Sequence, residues 1–261
     1  MAEGPAWIEA QWPAPPRVRA LTTLRTGGVS AGPYAGLNLA GHVGDAPEAV
    51  AENRRRLRAA LALPAEPAWL RQVHGTRVVE APAGAGAEAD GAWTARPGVV
   101  LAVLTADCLP VVLARRDGGA VAVAHAGWRG LAAGVLEAAV AALGGGVVAW
   151  IGPAIGAAAY EVGPEVREAV LAADPGAAEA MRPSPRAGRW RLDLAAAARR
   201  RLRRAGVEAV AVCGRCTFRE AAAFYSYRRD GVTGRMATLA WIEPGRSHGL
   251  SWVPSPAEEA R

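Results

Sequence analysis

The chain has 261 residues, 51% of them hydrophobic and 21% charged, with a formal net charge of +6. That length and apolar content suffice for one domain with a sizeable core, and no run approaches the ~20 apolar residues that a bilayer span needs. All 30 basic residues are arginine, so Schiff-base catalysis, lysine-anchored pyridoxal phosphate and a P-loop lysine are excluded.

The chain opens on MAEGPAWIEAQWPAPP, an acidic, proline-broken stretch without the basic start and apolar middle of a secretory signal, so a cytoplasmic location is expected. Residues 18–25 read as a first strand, followed by the glycine-rich TGGVSAGPYAGLNLAGHVGD. Pro47 opens a helix that runs to about Ala62 and stops before Pro64. Strands are predicted at 69–73 and 77–81, then a Gly/Ala loop as far as Asp90. The segments 99–107 and 110–116 read as buried strands, and the DGG turn at 117–119 leads into a third at 120–126. A helix from about Leu131 to Leu143, a strand at 147–153 and a helix at 164–174 follow. Residues 175–188 read as a surface loop. Asp193 suits the N-cap of a helix ending at Gly206, and strands at 207–214 and 234–243 complete the series. No internal repeat or domain break interrupts this order, so residues 1–261 are read as a single domain.

The basic charge permits binding of phosphate or nucleic acid. Its densest runs, RRRLR at 54–58 and ARRRLRRAG at 198–206, fall on predicted helices without interleaved aromatics. They read as solvated helix faces and offer no stacking platform for bases, so neither nucleic acid nor membrane is expected as a partner.

The chain holds only four histidines and three cysteines. His74 in LRQVHG, Cys108 in TADCLP and His125 in VAVAHAGWRG each stand at a predicted strand end. A thiolate with two imidazoles suits Zn²⁺, and three protein ligands with an open fourth position mark a catalytic zinc. The ligands are 34 and 17 positions apart, unlike the tight C-x₂-C pairs of structural sites. An unconnected buried Cys and two unrelated His are the alternative. Asp107, beside Cys108, can orient an imidazole or cap the turn before Pro110. Three cysteines cannot build a disulfide framework, which fits a reducing compartment. Cys213 and Cys216 form a C-x-x-C pair. Without a second pair or a thioredoxin-like context they read as two partly buried structural cysteines, the alternatives being a redox dithiol or half a zinc site.

Together TTLRTGGVSAGPYAGLNLAGHVGD, ENRRRL, QVHG, TADCLPVVL, AHAGWRGLAAGV, WIGPAIGAAAYEVG and FYSYRRDGVTGRMA resemble the YfiH family. Its members are described as laccase-domain or polyphenol-oxidase-like proteins, peptidoglycan editing factors and purine nucleoside phosphorylases. The resemblance spans about residues 20–243 in colinear order. It implies an α+β, four-layer α/β/β/α fold with mixed β-sheets, similar to the catalytic domain of cytotoxic necrotizing factor. It also implies zinc at His74, Cys108 and His125, as both metal ligands and catalytic residues. A multicopper oxidase needs a trinuclear centre rich in imidazole plus a blue-copper site, and four histidines cannot furnish both. A single copper at the trio with Met236 as axial ligand remains the less favoured cofactor, since Met236 reads as core.

The resemblance thus implies phosphorolysis of adenosine, inosine and S-methyl-5'-thioadenosine, with adenosine deamination as a side activity and inorganic phosphate as co-substrate. Arg129, Arg228 and Arg229 are candidates for the phosphate, because a guanidinium fork matches its oxygens. Asn38, His42 and Tyr160 are candidates for the pocket lining. A second class is a cysteine hydrolase, or peptidoglycan editing factor, with Cys108 as nucleophile and His125 as base. Bound metal in active protein discriminates between the two. A closed fourth ligand would instead mark a structural zinc.

Overall fold

A computed structural model of the chain describes residues 4–84 and 86–245. The first half runs β1 (Trp7–Glu9), β2 (Val18–Thr23), α1 (Pro47–Ala60), β3 (Val78–Glu80), β4 (Gly91–Thr94), β5 (Leu101–Thr105), β6 (Leu109–Arg115) and β7 (Val121–Ala126). The second half runs α2 (Trp128–Ala133), α3 (Val135–Leu143), β8 (Val147–Ile151), β9 (Glu161–Val162), α4 (Pro164–Ala173), β10 (Met181–Pro183), β11 (Trp190–Leu192), α5 (Leu194–Arg204), β12 (Ala209–Val212), α6 (Tyr227–Asp230) and β13 (Met236–Ile242).

The strands form a four-stranded sheet ordered β1-β2-β13-β5, a six-stranded sheet ordered β12-β8-β6-β7-β4-β3, and a small β10-β11-β9 sheet. The larger sheet is mixed: β12 runs parallel to β8 and β3 to β4, while its other pairs are antiparallel. Period-two alternation explains the layers. On β6, Leu109, Val111 and Leu113 pack with Leu136 and Ala139 of α3 and with Ala197 and Leu202 of α5. The intervening Val112 and Ala114 join Val123 and Trp150 against Val103, Ala240 and Ile242 of the smaller sheet. The far side of that sheet, through Leu21, Leu104 and Leu239, covers Leu37, Leu39 and Leu57. Helix, sheet, sheet and helix therefore stack as four layers, an α+β architecture with both sheets buried between helices.

Local departures from the sequence reading have physical causes. Around the expected strand 69–73 the chain makes only isolated bridges, Ala68 to Leu101 and Arg71 to Glu88, and no strand. The Gln72 side chain takes the place of backbone there, donating to the Leu104 carbonyl at 2.9 Å and accepting from its amide at 2.7 Å. The helix expected from Leu131 is two helices, α2 and α3, hinged at Gly134 with φ 107°; an L side chain there would be strained. The expected loop 175–188 holds a 3₁₀ turn and β10, and β1, β4 and α6 were not foreseen. Each of these strands is short and carries too few residues for a period to show. Among the described residues, no helix is long and apolar enough to cross a membrane.

Candidate metal centre

His125 is the penultimate residue of β7, inside the strand and not beyond it, and only 3% exposed. Its backbone amide donates to the Asp90 carbonyl at 2.7 Å, and its Nδ1 lies 2.8 Å from Asp90 Oδ1. Asp90 thus grips the residue at main chain and ring together, which fixes the tautomer and leaves Nε2 as the free nitrogen. The same buried carboxylate accepts from three successive amides, Val73 at 3.1 Å, His74 at 2.9 Å and Gly75 at 2.7 Å. One side chain therefore places two of the three expected ligands. The Gly/Ala stretch before Asp90 gave no hint of this, although an acidic residue ending such a loop was the available signal.

His74 sits at φ 61° and Asp107 at φ 95°, a conformation that non-glycine residues hold only where the surroundings impose it. The Asp90 amide clamp imposes it on His74. Cys108 occupies the turn between β5 and β6, with Sγ 3.9 Å from His74 Nε2. The His74 and His125 rings meet edge to face at 4.7 Å. One donor atom from each of His74, Cys108 and His125 lies within 4.8 Å of the others. Gly127 allows this closeness, since a Cβ there would stand 2.8 Å from His74 Cδ2 and 3.0 Å from Cys108 Sγ.

The electrostatics follow from these contacts. Burial alone would raise the Cys108 thiol, but hydrogen bonds and charge from His125 and His74 outweigh it and bring the pKa down to about 6. Burial alone would lower His125, yet Asp90 and the Cys108 thiolate raise it to about 9. Asp90 is held below the usual carboxylate range, the burial penalty being overcome by His125 and the loop amides. The donor set of two imidazoles and one thiolate is of the kind that Zn²⁺ takes, with a carboxylate orienting one imidazole.

A cavity of about 440 Å³ opens over the trio, lined by His42, Gln72, Thr105, Arg129, Tyr227 and Arg235 besides the ligands. Two larger hollows flank it. One, about 900 Å³ and mostly apolar, shares His42 and Gln72 with it and includes Trp69, Val79 and Val100. The other, about 640 Å³, shares Arg129 and includes Tyr160, Arg186, Arg189 and Arg228. His42 faces the metal cavity as expected, and burial followed by the charges of Arg235 and Arg54 lowers its pKa. Arg129 also faces it, its guanidinium over the Trp128 ring at 4.4 Å.

Other expectations are redirected. Asn38 is fully buried and bonds Ala40, Asp45 and the Arg235 amide, so it braces the glycine-rich loop and lines none of the three cavities. Arg229 spends its guanidinium on the carbonyls of Thr217, Phe218 and Phe224 and on Asp230, and lines none of the three cavities. Arg228 and Tyr160 line the arginine-rich hollow, not the metal cavity. Asp107 neither orients an imidazole nor caps its own turn. It accepts from Thr217, Ser226 and the Arg228 amide, tying the 226–228 segment to the Cys108 turn. Met236 is buried, and its sulfur accepts from the Tyr225 amide at 3.2 Å, as a core residue should. Arg235 is the functional candidate that sequence reading missed; it lies within FYSYRRDGVTGRMA, where the paired arginines of YRRDG drew the assignment, and it reaches the cavity because β13 pairs with β5. Cys213 and Cys216 are free and partly exposed, and among the described residues they belong to no metal-type cluster. His248 lies outside the described residues.

The sequence pattern of the family described as "Multi-copper polyphenol oxidoreductase laccase" matches residues 19–243. The chain belongs to that family. It is 53% identical to a purine nucleoside phosphorylase of Pseudomonas aeruginosa, over 91% of this chain and 99% of that protein. To the purine nucleoside phosphorylase YfiH of Escherichia coli it is 48% identical, over 90% and 98%. Its fold matches a DUF152-family protein of Neisseria meningitidis with a TM-score of 0.87 and 47% identity, covering 91% and 99% of the two chains. YlmD from Geobacillus stearothermophilus matches at 0.82 and 34%, covering 88% and 93%. These neighbours establish the YfiH-type fold that the motifs implied.

Proposed function

We propose that the protein is a zinc-dependent purine nucleoside phosphorylase acting on adenosine, inosine and S-methyl-5'-thioadenosine, with adenosine deamination as a side activity. The observation that carries the reading is the trio of donor atoms within 4.8 Å of one another, open to a cavity faced by Arg129 and Arg235. Relatives sharing about half its residues are named purine nucleoside phosphorylase. His74, Cys108 and His125 would hold the zinc, which when bound supplies Lewis acidity toward an oxygen ligand.

The residues supply the rest. In phosphorolysis a phosphate oxygen forms the bond to the anomeric carbon as the C–N bond breaks, and the electron pair leaves on the purine, which takes up a proton. Arg129 and Arg235 offset the negative charge brought by phosphate. His42, kept neutral by its surroundings, stands between the metal cavity and the apolar hollow, where its ring can hydrogen-bond the departing base. The apolar hollow would take the flat purine, with the Trp69 ring, over which Arg54 lies at 4.1 Å, on its wall.

A cysteine hydrolase has one observation in its favour, the lowered Cys108 pKa beside a protonated His125. One thiolate cannot both ligate metal and attack a carbonyl, so full activity with stoichiometric zinc decides against it. The main test is product analysis from adenosine. Adenine and ribose 1-phosphate should appear only when phosphate is supplied, because phosphate is a reactant. Equal base release in phosphate-free buffer would leave a nucleoside hydrolase in place of a phosphorylase.

A further inference from the structure

The hollow beyond Arg129 contains none of the three donor residues, and it adjoins the metal cavity with a wall rich in arginine. Arg129, Arg186, Arg189 and Arg228 face it against two carboxylates, Glu161 and Glu165. Glu161 is already engaged by Ser184 and Arg186. Among the described residues, Arg129 and Arg189 close no ion pair within 4.0 Å. Glu165 and Arg189 converge beside Gly163, where a Cβ would meet Glu165 Oε2 at 2.2 Å and Arg189 Nη1 at 2.8 Å.

Tyr160 adds a donor to the same hollow. It is only 8% exposed, lines the hollow, and its hydroxyl makes no hydrogen bond to a described residue. The ring is packed, but the hydroxyl is not among the buried unpartnered groups of the described residues; it reaches the open hollow, where it can donate to a ligand. Burial raises its pKa, with the Cys108 charge adding to the effect, and the group stays a donor at neutral pH. Arg228 lies over its ring at 5.1 Å and is anchored by Nη1 on the Glu161 carbonyl at 2.7 Å. That anchoring leaves the rest of its guanidinium for a ligand.

We infer that this hollow is an oxyanion subsite, in which Arg129, Tyr160, Arg189 and Arg228 seat inorganic phosphate beside the metal centre and not on it. The identity of the anion rests on the phosphorylase reading; the subsite itself rests on the residues. Arg129 is the wall common to this hollow and the metal cavity, so an anion held there can reach across to a ribose lying over the trio. The apolar hollow joins the same cavity through His42 and Gln72, so base, sugar and phosphate can occupy three adjoining cavities.

Two substitutions test the subsite without touching metal ligands or core packing: Arg189→Gln, at an exposed position, and Tyr160→Phe, which keeps the ring. Calorimetric titration of the full zinc-loaded chain with inorganic phosphate should show affinity falling about tenfold for Arg189→Gln and about threefold for Tyr160→Phe, because a bidentate fork and a donor are lost. KM for phosphate should rise in parallel, while KM for adenosine and zinc content hold. Arg199→Gln, on the distant α5, should change neither. Unchanged phosphate affinity and KM in both variants would overturn the subsite even if phosphorolysis is observed. Phosphate binding that depends on Arg189, in a protein that releases no base from any purine nucleoside, would uphold the subsite and sink the phosphorylase reading.

Discussion

Two cysteine regions of this molecule invert what their sequence motifs would suggest. Cys213 and Cys216 stand in C-x-x-C spacing, the local signature of reactive or metal-binding thiols, yet burial raises Cys213 and no imidazole stands by to offset it. Cys108 has no cysteine neighbour in sequence, and burial works against its ionisation as well, but two imidazoles bring it down to about 6. The difference lies in partners brought from 34 residues before and 17 after, not in spacing. A thiolate is made by whatever cations and donors surround it in space.

The sharpest way to break that comparison is substitution on each side. Cys108→Ala should lower zinc affinity by roughly three orders of magnitude, since two imidazoles alone hold the ion poorly, whereas Cys213→Ala should keep full zinc. Elemental analysis and competition with a chelator read both, and zinc at full occupancy in the Cys108 variant would remove that residue from the centre.

The next effect is in pH. In the metal-free protein, Cys108 is a thiolate above about 6 and His125 keeps its proton up to about 9. Zinc needs the imidazole neutral, so one proton must leave between those limits and affinity should climb about tenfold per pH unit, near 100-fold from pH 6 to 8. The climb should flatten above about 9, where His125 is already neutral, and a flat profile from pH 6 to 8 would contradict the thiolate–imidazolium pair.

A smaller loss is expected from Asp90→Asn, which keeps all three ligands but exchanges the charged acceptor behind His125 for an amide. Partners of this kind are worth about 10–100-fold in metal affinity. An intact affinity would show that the loop amides alone hold the geometry.

The comparison also shows where sequence reading stops. His74, Cys108 and His125 were legible because soft ligands are scarce in this chain and sit in specific motifs, and the core strands β5 to β8 because their apolar runs are long enough to show a pattern. Asp90 and Arg235 were not legible as site residues, Asp90 because it ends an ordinary Gly/Ala stretch and Arg235 because nothing in FYSYRRDGVTGRMA sets it apart from Arg228 and Arg229. Each enters the site through a contact distant in sequence, Asp90 from a loop 35 residues before His125, Arg235 through the pairing of β13 with β5. Arg229 misled for the converse reason. The arginines of YRRDG look alike in sequence, and only the fold assigns one to backbone carbonyls and the other to a hollow.

The sequence by itself determined the donor chemistry, the family resemblance and the alternation of strands and helices, because these depend on residue type and short-range periodicity. The tertiary structure decided which carboxylate orients His125, which arginine is free, and that an apolar and a cationic hollow flank the same centre. Those outcomes depend on side chains converging from segments up to about two hundred residues apart, as with the Asn38–Arg235 contact. Non-local convergence of this kind is fixed only when both sheets and their helices have packed.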